Sequence, residues 1–313
     1  MRVRTLVVLF IFLPLSVYSA KYAGESFALG VGGRALGMGG ATIAGPFDAS
    51  AGYWNPAGMN YVPGKNIQAM HAETFGSLLN HDFIAFTANH GDTSRMVQAY
   101  GFYFYYLGGG GIKLTGWDAA RNRPYVITEV THGDYLLAGS LSGRIKRKID
   151  FGVTVRIIYR DLGVKKGYGL TADVGALYQI HEKVRAGLMV TDLTSGFIRY
   201  SGGTTESILP TVKPGVLAYH TIDDFTLRLA LSGDIKFEGI KYASQFWMGE
   251  ISLDTHIGTE VSFREMLFGR LGYDIGNFTG GIGISIRRIN IDLAYLHNSD
   301  LDETFRVSAG YRF

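Results

Sequence analysis

His81-Asp82 and His132-Gly133-Asp134 each set an imidazole close to a carboxylate, a combination that general-base and metal chemistry both use. Neither pair has a third group at ligand or triad spacing, and both fall at expected loop ends, where exposed polar pairs are commonplace. Gly30-Val31-Gly32-Gly33-Arg34-Ala35 fits the loose dinucleotide fingerprint G-x-G-x-x-A. It follows no convincing strand and opens no amphipathic helix, and the seven glycines between Gly24 and Gly40 make a chance match expected. Tyr103, Tyr105, Tyr106, Trp117 and Trp247, placed at strand ends or in loops, could grip a ligand or form aromatic girdles at a membrane surface. The pattern assigns no catalytic residue, no metal and no cofactor, so the chain reads as a non-enzyme. Loss of an activity on mutating His132 or Asp134, with folding intact, would reverse that reading.

The elements that carry these residues are strands. Phe305, Val307, Ala309, Tyr311 and Phe313 share one parity, and Arg306, Ser308, Gly310 and Arg312 the other. Phe151, Val153, Val155, Ile157 and Tyr159 likewise oppose Asp150, Gly152, Thr154, Arg156 and Arg160. This period of two predicts fourteen segments, at 66–75, 81–90, 95–106, 134–146, 149–160, 168–180, 183–192, 211–220, 224–235, 249–262, 266–274, 278–287, 289–297 and 304–313. The first, second and eighth alternate poorly. Charges keep to the polar parity: Arg156, Asp173, Arg228, Asp254, Glu260, Asp292 and Arg306. Strands of about ten residues suit a tilted membrane-crossing barrel, and a charge on its lipid face would cost roughly 2–4 kcal/mol at the midplane. The fold class expected is therefore all-β, a transmembrane antiparallel barrel with these charges facing the lumen. Short turns at 91–94, 147–148, 181–182, 221–223, 263–265 and Arg288 alternate with longer outer loops, including 107–133, 193–210 and 236–248, as barrels require.

Composition agrees. Glycine supplies 43 of 313 residues, Tyr, Phe and Trp are abundant, and proline is scarce at 7. There is no cysteine, which excludes disulfides and a lipid-anchored N-terminus. The net charge of +3 is scattered, so nucleic acid is not an expected partner. Arg2 and Arg4 before the apolar run Leu6 to Leu15, with Val17-Tyr18-Ser19 following, predict an export signal over 1–19. Residues 20–65 then form a segment of their own, and 66–313 the barrel.

Residues 32–58 hold no long alternating strand, yet Tyr53, Trp54, Pro56 and Met59 need burial, and the barrel interior is the nearest enclosed space. The segment is expected to plug the lumen. Trp54 should give its indole N–H to an inward-facing polar group, and Asn55 should hold the turn before Pro56 through its side chain. Phe313 is expected to end the last lipid-facing row as a mark for the barrel-assembly machinery, together with Tyr311.

The string Gly32-Gly33-Arg34-Ala35-Leu36-Gly37-Met38-Gly39-Gly40-Ala41, followed by Asp48-Ala49-Ser50-Ala51-Gly52-Tyr53-Trp54-Asn55-Pro56-Ala57-Gly58, resembles the N-terminus of the PorV/PorQ family, within the FadL-like group. Phe278 to Ser285, Ile291 to Tyr295, Gly169 to Tyr178 and the closing Tyr311-Arg312-Phe313 are similar to that family's strands. Many relatives carry proline after the aspartate, where this chain has Ala49. The resemblance implies a fourteen-stranded outer-membrane barrel with an N-terminal hatch. It also implies that the chain handles cargo, either hydrophobic small molecules or proteins secreted by the type IX route. A scaffold barrel that docks partners through its outer loops is the alternative.

Overall fold

The computed structural model describes residues 23–313 except 75, 93–94, 147, 194, 243 and 298–302; the expected export signal lies outside the described residues. No helix among them is long and apolar enough to cross a membrane. The strands are β1 Gly64–Thr74, β2 Leu79–Asn89, β3 Val97–Asp118, β4 Arg123–Lys146, β5 Ile149–Asp161, β6 Lys166–His181, β7 Val184–Thr191, β8 Gly196–Tyr200, β9 Thr205–Ile208, β10 Thr211–Ile222, β11 Phe225–Lys236, β12 Phe246–Met248, β13 Ile251–Phe263, β14 Leu267–Asp274, β15 Asn277–Ile286, β16 Ile289–Leu296 and β17 Thr304–Arg312. All pairings are antiparallel, and β17 returns to β1 with Asn66 opposite Arg312 and Glu73 opposite Phe305, so the wall closes. β7 pairs directly with β10 and β11 with β13. That leaves β8, β9 and β12 as loop strands and fourteen strands in the wall.

Alternation follows from the pleat, which sends successive side chains to opposite faces. On β5, Val153, Val155 and Ile157 are exposed on the outside, while Thr154 and Arg156 are buried within. The poorly alternating segments are full strands of 11, 11 and 12 residues. Their pattern is blurred because their inner face is apolar too: Met70, Ala72, Phe83, Ala85 and Leu217 point inward and are buried. His71 and Glu73 lie on the outward parity, close to the end of β1.

Three expected loops contain strands. Residues 107–133 continue β3 and β4 as a paired ribbon, with Ile112 opposite Val130 and Asp118 opposite Arg123. At 22 residues β3 is roughly 70 Å long, at about 3.3 Å per residue, so the ribbon projects well beyond the wall. The stretch 193–210 forms the β8–β9 hairpin, which leans on β6, and 236–248 contributes β12 alongside β13. The opposite end carries tight turns, with Asp223, Arg264, Glu265 and Arg287 at positive φ. The Phe313 N–H donates to Lys65 O at 2.9 Å, which puts the C-terminus at this turn end.

Residues 23–62 fold into 3-10 turns at Glu25–Phe27 and Pro56–Tyr61 and two short helices, α1 Gly33–Gly37 and α2 Ala51–Trp54. Val31, Met38, Asn55, Ala57 and Met59 are completely buried. Inward-facing wall groups hold this segment from many sides. Thr87 Oγ1 donates to Ala49 O at 3.0 Å, Thr154 Oγ1 to Gly52 O at 3.0 Å and Arg185 Nε to Ala44 O at 2.9 Å. Ser308 Oγ accepts from the Gly33 N–H at 3.0 Å.

Candidate functional site, an apolar cavity at the loop end of the barrel

The N-terminal segment lies close to the wall because wall glycines let it. A Cβ added at Gly175 would collide with the Asn55 side chain, one at Gly187 with Ile43 O and one at Gly258 with Met38 O. At Gly281 a Cβ would crowd the Cα of Gly37 on α1. Within the segment, Gly32, Gly39 and Gly40 sit at φ of 82°, 64° and 74°, a region that costs other residues strain. Asp48 folds its loop by accepting from Ser50 N and Oγ at 2.8 and 2.6 Å, and Gly58 packs against the Phe47 ring.

Asn55 behaves as a turn holder: its Oδ1 accepts from Ala57 N at 3.1 Å across the buried Pro56, and its Nδ2 donates to Ile43 O at 2.9 Å. Trp54 differs from expectation. Its indole N–H donates to Val31 O at 2.9 Å, a carbonyl of the segment itself rather than a wall side chain. The segment supplies that acceptor because residues 30–32 cross beside α2, a proximity that spacing in sequence does not reveal. Tyr53 donates to Phe27 O at 2.7 Å, and burial pushes its phenol above the usual tyrosine range.

Between this segment and the loop end lies a cavity of about 400 Å³. Phe27, Leu29, Leu36, Ile43, Tyr53 and Trp54 form its floor, and Ile208 and Leu209 join from the end of the β8–β9 hairpin. Apart from Arg306, the charged groups of its rim are paired. Arg156 Nη2 donates to Asp173 at 2.7 Å and to Asp192 at 2.6 Å, Lys213 meets Asp234 at 2.5 Å, and His256 Nδ1 lies 2.8 Å from Asp274. Lys236 bridges to Glu25 at 2.7 Å and lies 4.0 Å from Asp254, which also accepts from Gln245 N at 2.9 Å. Arg306 lines the same space. A second cavity, about 290 Å³ and polar, opens at the turn end beside Arg34, Asp48, Gln68 and Asp292.

Glu260 sits between the two ends, fully buried among three arginines. Arg34 donates to it at 2.9 and 2.6 Å, Arg270 at 2.7 Å and Arg228 at 3.0 Å. Arg270 reaches on to Asp292 at 2.7 Å and Arg228 to Glu265 at 2.6 Å. The segment is thus latched to β11, β13, β14 and β16 through one carboxylate.

Of the two pairs that suggested chemistry, the pleat splits the first and leaves the second on one face. His81 is buried against the Tyr105 ring at 4.6 Å, while Asp82 meets His71 at 2.6 Å among exposed side chains. Asp134 lies 3.6 Å from His132, but Arg160 holds its carboxylate at 2.6 Å. The Gly-rich string leads into the five residues of α1, a short and mostly buried turn rather than an amphipathic helix, and Gly32 N and Gly33 N donate to Met70 Sδ and Ser308 Oγ. Tyr103 and Tyr105 are also corrected: they face inward and pack on Tyr53, at 6.0 and 6.5 Å, because β3 presents them to the apolar side of the segment. Tyr106 does lie on the outward parity, in a row with Tyr135, Tyr159 and Tyr168 whose neighbouring rings lie 5.0 to 5.6 Å apart. Trp117 and Trp247 are exposed at the loop end, and Tyr311 and Phe313 are exposed at the turn end, their rings 5.1 Å apart. Sequence reasoning missed Phe27, Leu29, Leu36, Ile43 and Arg270 as functional candidates. Part of the rim was in view from the sequence, since Arg156, Asp173 and Arg306, expected to face the lumen, line this cavity.

No family model and no curated protein matches the chain. Solved structures do. The toluene transporter TbuX of Ralstonia pickettii aligns over 91% of this chain and 98% of its own at 13% identity and TM-score 0.57. The CymD monoaromatic hydrocarbon channel aligns over 91% and 98% at 11% identity and TM-score 0.60. A Pseudomonas aeruginosa FadL homologue aligns over 90% and 97% at 13% identity and TM-score 0.55. The fold is that of the FadL-like barrels. A closed wall whose outside carries exposed Leu227, Leu229, Leu231, Ile257 and Val261 is a lipid-facing surface, and the chain is an outer-membrane protein.

Proposed function

We propose that this barrel passes hydrophobic small molecules across the outer membrane, with residues 23–62 acting as a plug that they must cross. The cavity at the loop end carries the reading: an apolar floor of Phe27, Leu29, Leu36, Ile43, Tyr53 and Trp54 inside a ring of mostly paired charges gives an apolar solute a desolvated stopping place. The polar cavity beyond α1 offers a way on toward the periplasm once the segment shifts. The titles of the similar structures, a toluene transporter and a monoaromatic hydrocarbon channel, lend this support at the level of fold. Proteoliposomes holding the wild-type chain should take up radiolabelled toluene faster than empty vesicles. Leu36→Arg, which puts a charge on the cavity floor, should slow uptake several-fold with the barrel still folded. Uptake no faster than through empty vesicles would overturn the proposal.

The projecting ribbon favours a second reading, a scaffold that docks partners. Trp117, Tyr125, Val126 and Ile127 stand exposed on it, far from any wall contact. Deleting 110–130 should leave toluene uptake intact if the ribbon serves docking alone. Membership of the PorV/PorQ family rests on the N-terminal string, and the comparisons lend a type IX secretion role no support.

A further inference from the structure

We propose that the turn end of the closing seam binds the headgroup of an anionic phospholipid, of the phosphatidylglycerol kind, and holds it against the outside of the barrel. Short turns face the periplasm in such barrels, so this end meets the inner leaflet. Four basic residues gather there: Lys65 on β1, Arg312 on β17, and Arg287 and Arg288 in the turn between β15 and β16. Backbone hydrogen bonds tie them into one patch, since Arg312 N donates to Arg288 O at 2.8 Å and Phe313 N to Lys65 O at 2.9 Å. Arg312 Nη2 also reaches Arg287 O at 3.4 Å. All four residues are exposed, and none of them has an ion pair among the described residues. The seam offers them no acid: residues 62–72, 275–291 and 304–313 contain neither Asp nor Glu. Elsewhere at this end arginines are compensated, Arg144 by Asp150 at 2.7 Å, Arg228 by Glu265 at 2.6 Å and Arg264 by Asp224 at 2.8 Å.

Turn geometry does not ask for arginine at this place. Arg287 sits at φ 55°, the left-handed region that Gly or Asn takes in a two-residue hairpin turn. Arginine there adds charge and strains the backbone. On the bilayer side of the patch, Phe86, Ile67, Tyr311, Ile289 and Ile286 form an outward row across five adjacent strands, each directly opposite the next. All but Phe86 are exposed, and an acyl chain can lie along them. Tyr311 and Phe313, with rings 5.1 Å apart, mark the depth of the interface, where aromatic side chains collect. A lipid whose chains cover this row brings its phosphate to the level of the arginines, whose paired N–H donors match phosphate oxygens. A zwitterionic headgroup carries its own cation and leaves the four charges repelling one another. A headgroup with net negative charge relieves them.

The chain has no cysteine, so Ile289→Cys carries a bimane fluorophore at one known place beside the patch. The labelled barrel is reconstituted in phosphatidylcholine vesicles doped with doxyl-labelled phosphatidylglycerol or doxyl-labelled phosphatidylcholine. Both leaflets have one composition, so the direction of insertion does not matter. Phosphatidylglycerol should quench at a mole fraction roughly fivefold lower or less, the scale of one basic side chain at an anionic surface, and high salt should shrink the difference. Replacing Arg287 and Arg288 together by Gln should abolish the preference, and replacing both by Lys should keep part of it. The same label on Leu141→Cys, exposed on β4 away from the seam, should show no preference. A heat-modifiable gel band establishes that each variant is folded. Equal quenching by the two lipids at position 289, or an undiminished preference in the double Gln variant, overturns the site. A bimane response to an acidic decapeptide, with no preference between the lipids, gives the patch to a periplasmic protein instead and overturns the lipid assignment.

Discussion

Glu260 concentrates more of the interior electrostatics than any residue beside it. A lone buried carboxylate would be prohibitively desolvated, and three guanidiniums offset that cost only while all the geometry holds. Two of the three have a second acid to fall back on, Asp292 for Arg270 and Glu265 for Arg228. Arg34, in the N-terminal segment, pairs among the described residues with Glu260 alone. Glu260→Ala should therefore strand Arg34, lowering stability by roughly 3–5 kcal/mol, read as a shift in the urea midpoint for unfolding from lipid vesicles. Adding Arg34→Met should restore much of the loss, and an unchanged midpoint in the single variant would refute the latch.

At the level of elements, α1 matters for what it rests on rather than for its own stability. Five residues cannot sustain a helix in isolation. α1 persists because β14, β15, β16 and β17 present a bare backbone shelf, with Gly281 beneath Gly37 and Gly272 beneath Gly39. Gly281→Leu should push α1 off this shelf without breaking β15, whose hydrogen bonds do not involve the side chain. The expected result is faster small-solute entry in liposome swelling with a normal heat-modifiable band. Swelling equal to wild type would mean that α1 is not part of the barrier. The same shelf explains why glycine is so abundant within strands, where it otherwise weakens the sheet.

The whole molecule is a wall built to two specifications at once, lipid outside and a folded segment inside. Closure depends on β17 meeting β1, and that seam is the last to form when a chain is assembled from its C-terminal strand. Phe313 lies just past β17, exposed, with its N–H on Lys65 O across the seam. Deleting Phe313 should lower the yield of folded barrel in the membrane fraction, seen as loss of the heat-modifiable band, while Phe313→Tyr should preserve it. An undiminished band after deletion would remove Phe313 from assembly.

The strands and the outer face of the barrel were legible in the residues themselves. Val153, Val155 and Ile157 alternating with Thr154 and Arg156 allow one arrangement only, because a one-residue slip would drive the guanidinium into lipid. Asn55 before Pro56 announced its turn for a similarly local reason. The inner face could not be read in this way. Its polarity is set by whatever packs against it, so Met70, Phe83, Tyr103 and Tyr105 point inward toward an apolar segment from far away in the chain. The ribbon of 107–133 also escaped detection, since exposure on both sides removes the alternation that marks a strand. The partner of Trp54, the three arginines on Glu260, the cavity floor and the isolation of Arg306 arise from contacts between distant positions, and only the closed barrel brings those positions together.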